Sequence, residues 1–254
     1  MTYTACTLAE RPSLRPRFGR FHDRAWPEFL RDTELNRVFG LIYEHFPEFQ
    51  LGLFDGAGRL VAIGNSIPFP WNGRPASLPD RIVDVVTGGI RAKQRGRRPT
   101  ALSALAAIVD PRFRGRDLSR RVIVAMRRLA ERHRLAALVA PVRPTAKGRY
   151  PVTPMDDYVA WRRPDGAPLD PWLRVHWRLG ARVVRIARRA MTVTATVAEW
   201  EARTGLRFPE SGRYVVPGAF NPVTIDRRRN RGRYVEPNVW MRHPVRRIAP
   251  SARR

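Results

Sequence analysis

The residues 108–119, Ile108-Val109-Asp110-Pro111-Arg112-Phe113-Arg114-Gly115-Arg116-Asp117-Leu118-Ser119, carry the densest chemistry in the chain. They join an apolar run to an amphipathic one, which reads as a buried strand, a tight loop and a helix. The first N–H groups of a helix lack intrahelical acceptors, and its dipole adds about half a positive charge there. A loop that aims those donors at one point is an anion site, and Arg112, Arg114 and Arg116 add charge to it. It is not a nucleotide P-loop, because no Gly-Lys-Ser/Thr follows. It is not a dinucleotide fingerprint either, because Gly115 is its one glycine.

A second set lies downstream, at His176-Trp177-Arg178-Leu179-Gly180-Ala181. A neutral imidazole there can take a proton from an amine or give one to a thiolate near pH 7. A structural histidine on a helix is the plain alternative.

Together these segments resemble the GNAT acyltransferase superfamily. Its signature is a strand ending in Val-x-Pro, then Arg/Gln-x-x-Gly-x-Gly/Ala opening a long helix. Here those positions are Val109-Asp110-Pro111 and Arg114-Gly115-Arg116-Asp117-Leu118-Ser119. The family's later Tyr-x-x-x-Gly-Phe has the spacing of His176 to Ala181, with His176 in place of the tyrosine that protonates the leaving thiolate. The resemblance covers roughly residues 20–200. It implies a GNAT-like α/β fold, a mixed central sheet with a splayed parallel strand pair flanked by helices. It implies acetyl-coenzyme A or another acyl-coenzyme A as co-substrate. The coenzyme contacts would be Ile108, Val109, Arg114, Gly115, Arg116, Asp117, Leu118 and Ser119. The reaction implied is direct acyl transfer in a ternary complex to a small acceptor, expected to be an amine, with His176 as the catalytic group. One departure matters: Asp117 stands where the family has glycine. As an N-cap its carboxylate would occupy the donors that a pyrophosphate needs, which leaves a non-catalytic relative as an alternative.

Other candidates have plain readings beside the chemical ones. Arg143 and Lys147 follow the second apolar run, at the strand end where open α/β sheets place ligands. They fit an acid group or phosphate, or equally a solvated surface. Residues 146–170 form a long insertion that is expected to be a lid or a packed elaboration. Its aromatics Tyr150, Tyr158 and Trp161 are candidate acceptor contacts, and Asp156 and Asp157 suit an amine or a capped turn. Glu236-Pro237-Asn238-Val239-Trp240 joins polar groups to aromatics with no role assigned. The histidines are too scattered for a metal site, so no metal is expected. No Gly-x-Ser-x-Gly elbow is present.

Positioning these groups requires an alternating fold. Apolar residues at three- and four-residue steps predict helices over 26–46, 80–95, 118–134 and 172–179. Continuous apolar runs predict buried strands at 100–109 and 136–142. Asp55-Gly56-Ala57-Gly58 marks a hairpin turn between 50–54 and 59–67. Strands are expected at 182–186 and 191–197, and a short helix at 198–204. Two similar stretches, 212–220 and 232–240, read as strands bracketing a basic loop. The organisation expected is an arm over 1–20 with a strand near Phe18, an acyltransferase domain over 21–198, and a C-terminal extension over 199–254.

Composition bounds the rest. The chain has 254 residues, 43% of them apolar and 28% charged, enough for a sizeable core and unlike a disordered chain. No apolar run approaches the ~20 residues of a membrane span. The first residues lack a secretory apolar core, so a cytoplasmic location is expected. One cysteine, Cys6, excludes an internal disulfide. The formal net charge is +26 from 48 basic and 22 acidic residues, which suggests a polyanion partner such as nucleic acid. However, Lys93 and Lys147 are the only lysines. That arginine preference reads as codon bias, and the arginines are dispersed. A solvated basic surface with a small anionic site is the favoured expectation, and a nucleic-acid-binding module the alternative from another class.

Overall fold

The computed structural model describes residues 2–23, 25–31 and 33–245. In chain order the strands are β1 (Tyr3–Thr7), β2 (Gln50–Asp55), β3 (Leu60–Phe69), β4 (Ala101–Val109), β5 (Ala137–Val142), β6 (Arg182–Ala195), β7 (Gly212–Tyr214), β8 (Val223–Asp226) and β9 (Arg231–His243). The helices are α1 (Arg15–His22), α2 (Glu34–Phe39), α3 (Leu41–His45), α4 (Ile82–Gln94), α5 (Leu118–Arg132), α6 (Met155–Ala160), α7 (Pro171–Arg178) and α8 (Val197–Thr204). One mixed sheet runs in the order β1-β2-β3-β4-β5-β9-β8-β7, and β6 pairs the other side of β9. Every pairing is antiparallel except β4 with β5.

The parallel pair is a fork. Ala101, Leu102 and Ser103 register with Ala137, Leu138 and Val139, and there the pairing stops. β4 continues along β3 to Val109, while β5 continues along β9 to Val142. The expected splayed pair is therefore present at the expected residues. β4 also carries a bulge: Asn65 pairs Ala106 and Ser66 pairs Ala104, leaving Leu105 over. A bulged residue falls out of the ladder and increases the local twist, here on the edge that opens into the fork.

Helices cover both faces. β3 shows which helix lies where, because successive side chains alternate between faces. A Cβ on Gly64 would lie 2.8 Å from Val122 and Met126 of α5. A Cβ on Gly89 of α4 would lie 2.8 Å from Ile67 and from the Pro68 carbonyl. Glycine at each place lets a helix settle close on the sheet. The apolar stripe of α5, Leu118, Val122, Ile123, Met126 and Leu129, is buried against it. The register then carries the faces across the fork. Gly64, Leu102, Leu138 and His243 share the α5 face, and Ile67, Ser103, Val139 and Trp240 share the α4 face.

Four expectations are corrected. The helix over 26–46 is instead a 3-10 turn followed by α2 and α3, which part at Gly40. The strand near Phe18 is α1, and the N-terminal arm supplies β1, paired to β2. Strands 182–186 and 191–197 are one strand, β6, kinked by an irregularity between Ala187 and Met191. Most consequential, the residues after 199 are not an appendage. β9 lies between β5 and β6 inside the sheet, so α8, β7 and β8 are an insertion before an integral strand. Residues 246–254, which include Arg246, Arg247, Arg253 and Arg254, lie outside the described residues. Among the described residues no helix is long and apolar enough to cross a membrane.

Candidate active site

A cleft of about 1050 Å³ runs from the loop before α5, along the free edge of β4, and through the fork to α2 and β9. Its lining includes Ile108, Val109, Arg114, Gly115, Asp117, Leu118 and Ser119, Arg143 and His176. Arg116 lies beside it, in a recess with Arg59 and Phe113, its guanidinium carbon 5.3 Å from the Phe113 ring centre.

The loop is built by local hydrogen bonds. Asp110 accepts from the Arg112 N–H at 3.0 Å and pairs with its guanidinium at 2.8 Å, closing a 3-10 turn over Pro111–Phe113. The chain then turns through two left-handed residues, Gly115 at φ 77° and Asp117 at φ 59°. The expected cap at Asp117 does not form. A capping side chain needs an extended backbone, and Asp117 adopts φ 59°, ψ 20° with no side-chain bond to the helix start. Its carboxylate instead accepts from Arg120 Nε at 2.5 Å. The opening N–H groups of α5 are thus not occupied by this carboxylate, and the anion site stays available beside the arginines.

This geometry changes what a glycine would do. A left-handed non-glycine residue costs about 1–2 kcal/mol, less for aspartate, and the exposed pair to Arg120 contributes well under ~1 kcal/mol. Asp117→Gly should therefore leave affinity for an acyl-coenzyme A within about threefold and raise stability by ~0.5 kcal/mol. Titration calorimetry and thermal unfolding check both. A tenfold gain in affinity would show that the carboxylate does face the coenzyme.

Also lining the cleft, α7 carries His176, 1% exposed. Asp170 caps this helix, accepting from the N–H groups of Trp172 and Leu173 at 2.8 and 3.0 Å. His176 Nδ1 lies 2.8 Å from Nε2 of His243 on β9, and Trp172 packs edge-on at 4.5 Å. His176 Nε2 is buried with no hydrogen-bond partner among the described residues. The tautomer of the pair decides its role. If His176 donates to His243, Nε2 is a bare acceptor; if His243 donates, Nε2 carries a proton it can give.

Both rings are held neutral. Burial, then the neighbouring His243, keeps His176 well below its ordinary value. Burial, then Arg127, pushes His243 down to about 4. An unfolded histidine protonates near 6.5, so in acid the unfolded chain binds protons that the folded chain refuses. The stability from these rings is present above pH 6.5 and is lost as pH falls toward 4, at about 1.4 kcal/mol per pH unit for each histidine. Urea unfolding at pH 7.5 and 5.5 should show it, and a His176→Phe, His243→Leu double variant should flatten that part of the profile.

Arg143 lines the cleft and is also held by the protein itself. Its guanidinium pairs with Glu236 through bonds of 2.8 and 3.0 Å, donates to the Gly218 carbonyl, and sits 4.1 Å over the Phe220 ring. Glu236 is fully buried and also accepts from Tyr234 Oη at 2.7 Å. Lys147 does not line the cleft. It is fully buried and donates to the carbonyls of Tyr150 and Phe220 at 2.7 and 2.6 Å.

The aromatic candidates of the insertion do not reach the cleft. Tyr150, Tyr158 and Trp161 pack on one another with centroids 4.8–5.9 Å apart. Tyr158 Oη donates to Asp170 at 2.8 Å, and that carboxylate also accepts from the Ala146 N–H. The insertion is tied to its own ends, and none of residues 146–170, all described, lines the cleft. Asp156 pairs with Arg188 on the surface. Sequence reasoning missed His243, Asn238 and the wall formed by Trp26, Leu35 and Phe39. His243 stands 67 residues from its partner, so no spacing could have linked them.

No protein-family model matches the chain. An arginine N-acetyltransferase of Aspergillus versicolor is 33% identical over 96% of this chain and 94% of its own length. Among solved structures, the loading GNATL domain of CurA from Lyngbya majuscula superposes with a TM-score of 0.63 at 15% identity, covering 96% of this chain and 98% of that one. The GphF GNAT-like decarboxylase, solved with isobutyryl-CoA, superposes with a TM-score of 0.58 at 18% identity, covering 97% and 100%. With the fork, the open helix terminus and this relative together, the chain belongs to the GNAT superfamily of N-acyltransferases.

Proposed function

We propose that this protein transfers an acyl group, acetyl in the first instance, from an acyl-coenzyme A to a nitrogen of arginine or a similar small amine. The observation that carries the reading is the continuous cleft, lined both by the uncapped start of α5 and by the neutral His176 ring. The Aspergillus relative's name supplies the acceptor class.

The residues fit a ternary complex. The α5 terminus with Arg112 and Arg114 suits a pyrophosphate. The free β4 edge suits the amides of a pantetheine arm and, at the Leu105 bulge, the oxyanion of the reacting carbonyl. The amine nitrogen attacks that carbonyl, a C–N bond forms, and the C–S bond breaks. The nitrogen's surplus proton passes to the departing thiolate, with His176 Nε2 as the group that handles it. Cys6 does not line the cleft, so an acyl-cysteine route has no nucleophile there.

The test is a thermal-shift screen of the protein against coenzyme A and acyl thioesters, then thiol release with arginine and a panel of amines. A shift with acetyl-coenzyme A and amine-dependent thiol release are expected. No shift, together with duplex-DNA binding that weakens steeply with salt, would replace this reading with the polyanion-binding one.

A further inference from the structure

The geometry points to Asn238 as the group that receives the acceptor amine, its side-chain carbonyl taking one N–H of the attacking nitrogen. This inference rests on the function proposed above and names a residue for it. Asn238 is 2% exposed and lines the cleft. Its Nδ2 donates to the Pro141 carbonyl at 3.2 Å, which fixes the amide's orientation. Its Oδ1 is buried with no hydrogen-bond partner among the described residues. Buried polar atoms are nearly always satisfied, so a bare carbonyl oxygen in a cleft marks the place of a ligand N–H.

The sheet register says which ligand. His243 shares the face of α5, where the anion loop and His176 lie. Asn238 is on the opposite face, with Trp240, whose indole donates to the Pro79 carbonyl. The pairing of β4 with β5 ends at Ser103 and Val139, and residues of both strands beyond that point line the cleft. A thioester arriving from the α5 terminus reaches the fork from one side, and Asn238 waits on the other. The same lining includes the apolar Leu35, Phe39 and Met191.

A neutral amide suits this task better than a carboxylate. An anionic partner stabilises an ammonium and raises its pKa, and a protonated amine has no lone pair for attack. Asn238 orients the nitrogen without holding it protonated. As the C–N bond forms, the nitrogen gains positive charge, so its N–H bond to Oδ1 strengthens in the transition state.

Two variants of the intact protein test this, with acetyl-coenzyme A and the amine panel as probes. Asn238→Leu should lower kcat/KM for the amine about tenfold or more, with the Kd for acetyl-coenzyme A unchanged. Asn238→Asp keeps the shape and an acceptor oxygen, and exchanges the N–H donated to the Pro141 carbonyl for a second oxygen. It should retain transfer, but the acid limb of its kcat profile should move up by about one pH unit. Because it is nearly isosteric, it carries the test if the leucine variant fails to fold. Loss of coenzyme affinity in parallel with amine turnover would place Asn238 on the thioester arm and overturn the inference. So would an unshifted acid limb in Asn238→Asp, or unchanged amine kinetics in Asn238→Leu. A wild-type protein that binds acetyl-coenzyme A but acylates no amine overturns the functional reading itself and this one with it.

Discussion

Replacing His176 by alanine is expected to lower turnover by about 100-fold or more while leaving the Kd for acetyl-coenzyme A nearly unchanged. General acid–base groups contribute on that scale, and the helix terminus proposed for the coenzyme's anionic part belongs to α5, not to α7. The ring is buried, so its removal also leaves a cavity and costs some stability. The coenzyme titration therefore doubles as proof that the variant is folded. His243→Ala should give a smaller loss, because His243 fixes the tautomer of His176 without reaching the cleft itself. A distinctive signature is the pH profile. With His176 neutral far into acid, the wild-type kcat should not fall through protonation of this ring near pH 6.5. A fall in activity that only matches the fall in stability would return His176 to a packing role.

Arg143→Ala is expected to cost about 3–5 kcal/mol of stability, the range for breaking one half of a buried ion pair. In a chain of this size that corresponds to roughly 10 °C or more in melting temperature. The cause is what stays behind. Glu236 is fully buried and would keep only the Tyr234 hydroxyl as a donor, with Lys147 engaged by two carbonyls. The double variant Arg143→Met, Glu236→Leu should recover part of the loss, since it leaves no orphaned charge. By contrast Arg188→Ala, which breaks the surface pair with Asp156, should change stability by less than about 1 kcal/mol. Scanning calorimetry separates these cases. An Arg143→Ala variant that melts like wild type but binds coenzyme weakly would make Arg143 a ligand contact after all.

Local pattern in the sequence marked the two strands, the anion loop and its helix, and the family resemblance implied that the strands part as a fork. Apolar runs at 100–109 and 136–142 read as strands buried on both faces, and the stripe from Leu118 to Leu129 as a helix laid on them. Gly115 and the arginines around it mark a turn that feeds that helix. Those signals are carried by neighbours in the chain, so they are legible without a structure, and with them came the family. Tertiary structure decided everything that depends on meeting across the sheet. The direction of the Asp117 carboxylate followed from a left-handed backbone that residue type alone does not dictate. Tyr150, Tyr158 and Trp161 looked like a lid because aromatics in a long loop have no sequence signal for facing one another. Glu236 and Asn238 acquired roles only when β9 entered the sheet beside β5. The register of β9 then put the Glu236 carboxylate against Arg143 and Asn238, with its bare carbonyl oxygen, in the lining of the cleft. His243 reached His176 because a strand of thirteen residues ran the length of the sheet to a helix that the chain had left long before. Such pairings depend on registers between distant strands, and no window of sequence contains both partners.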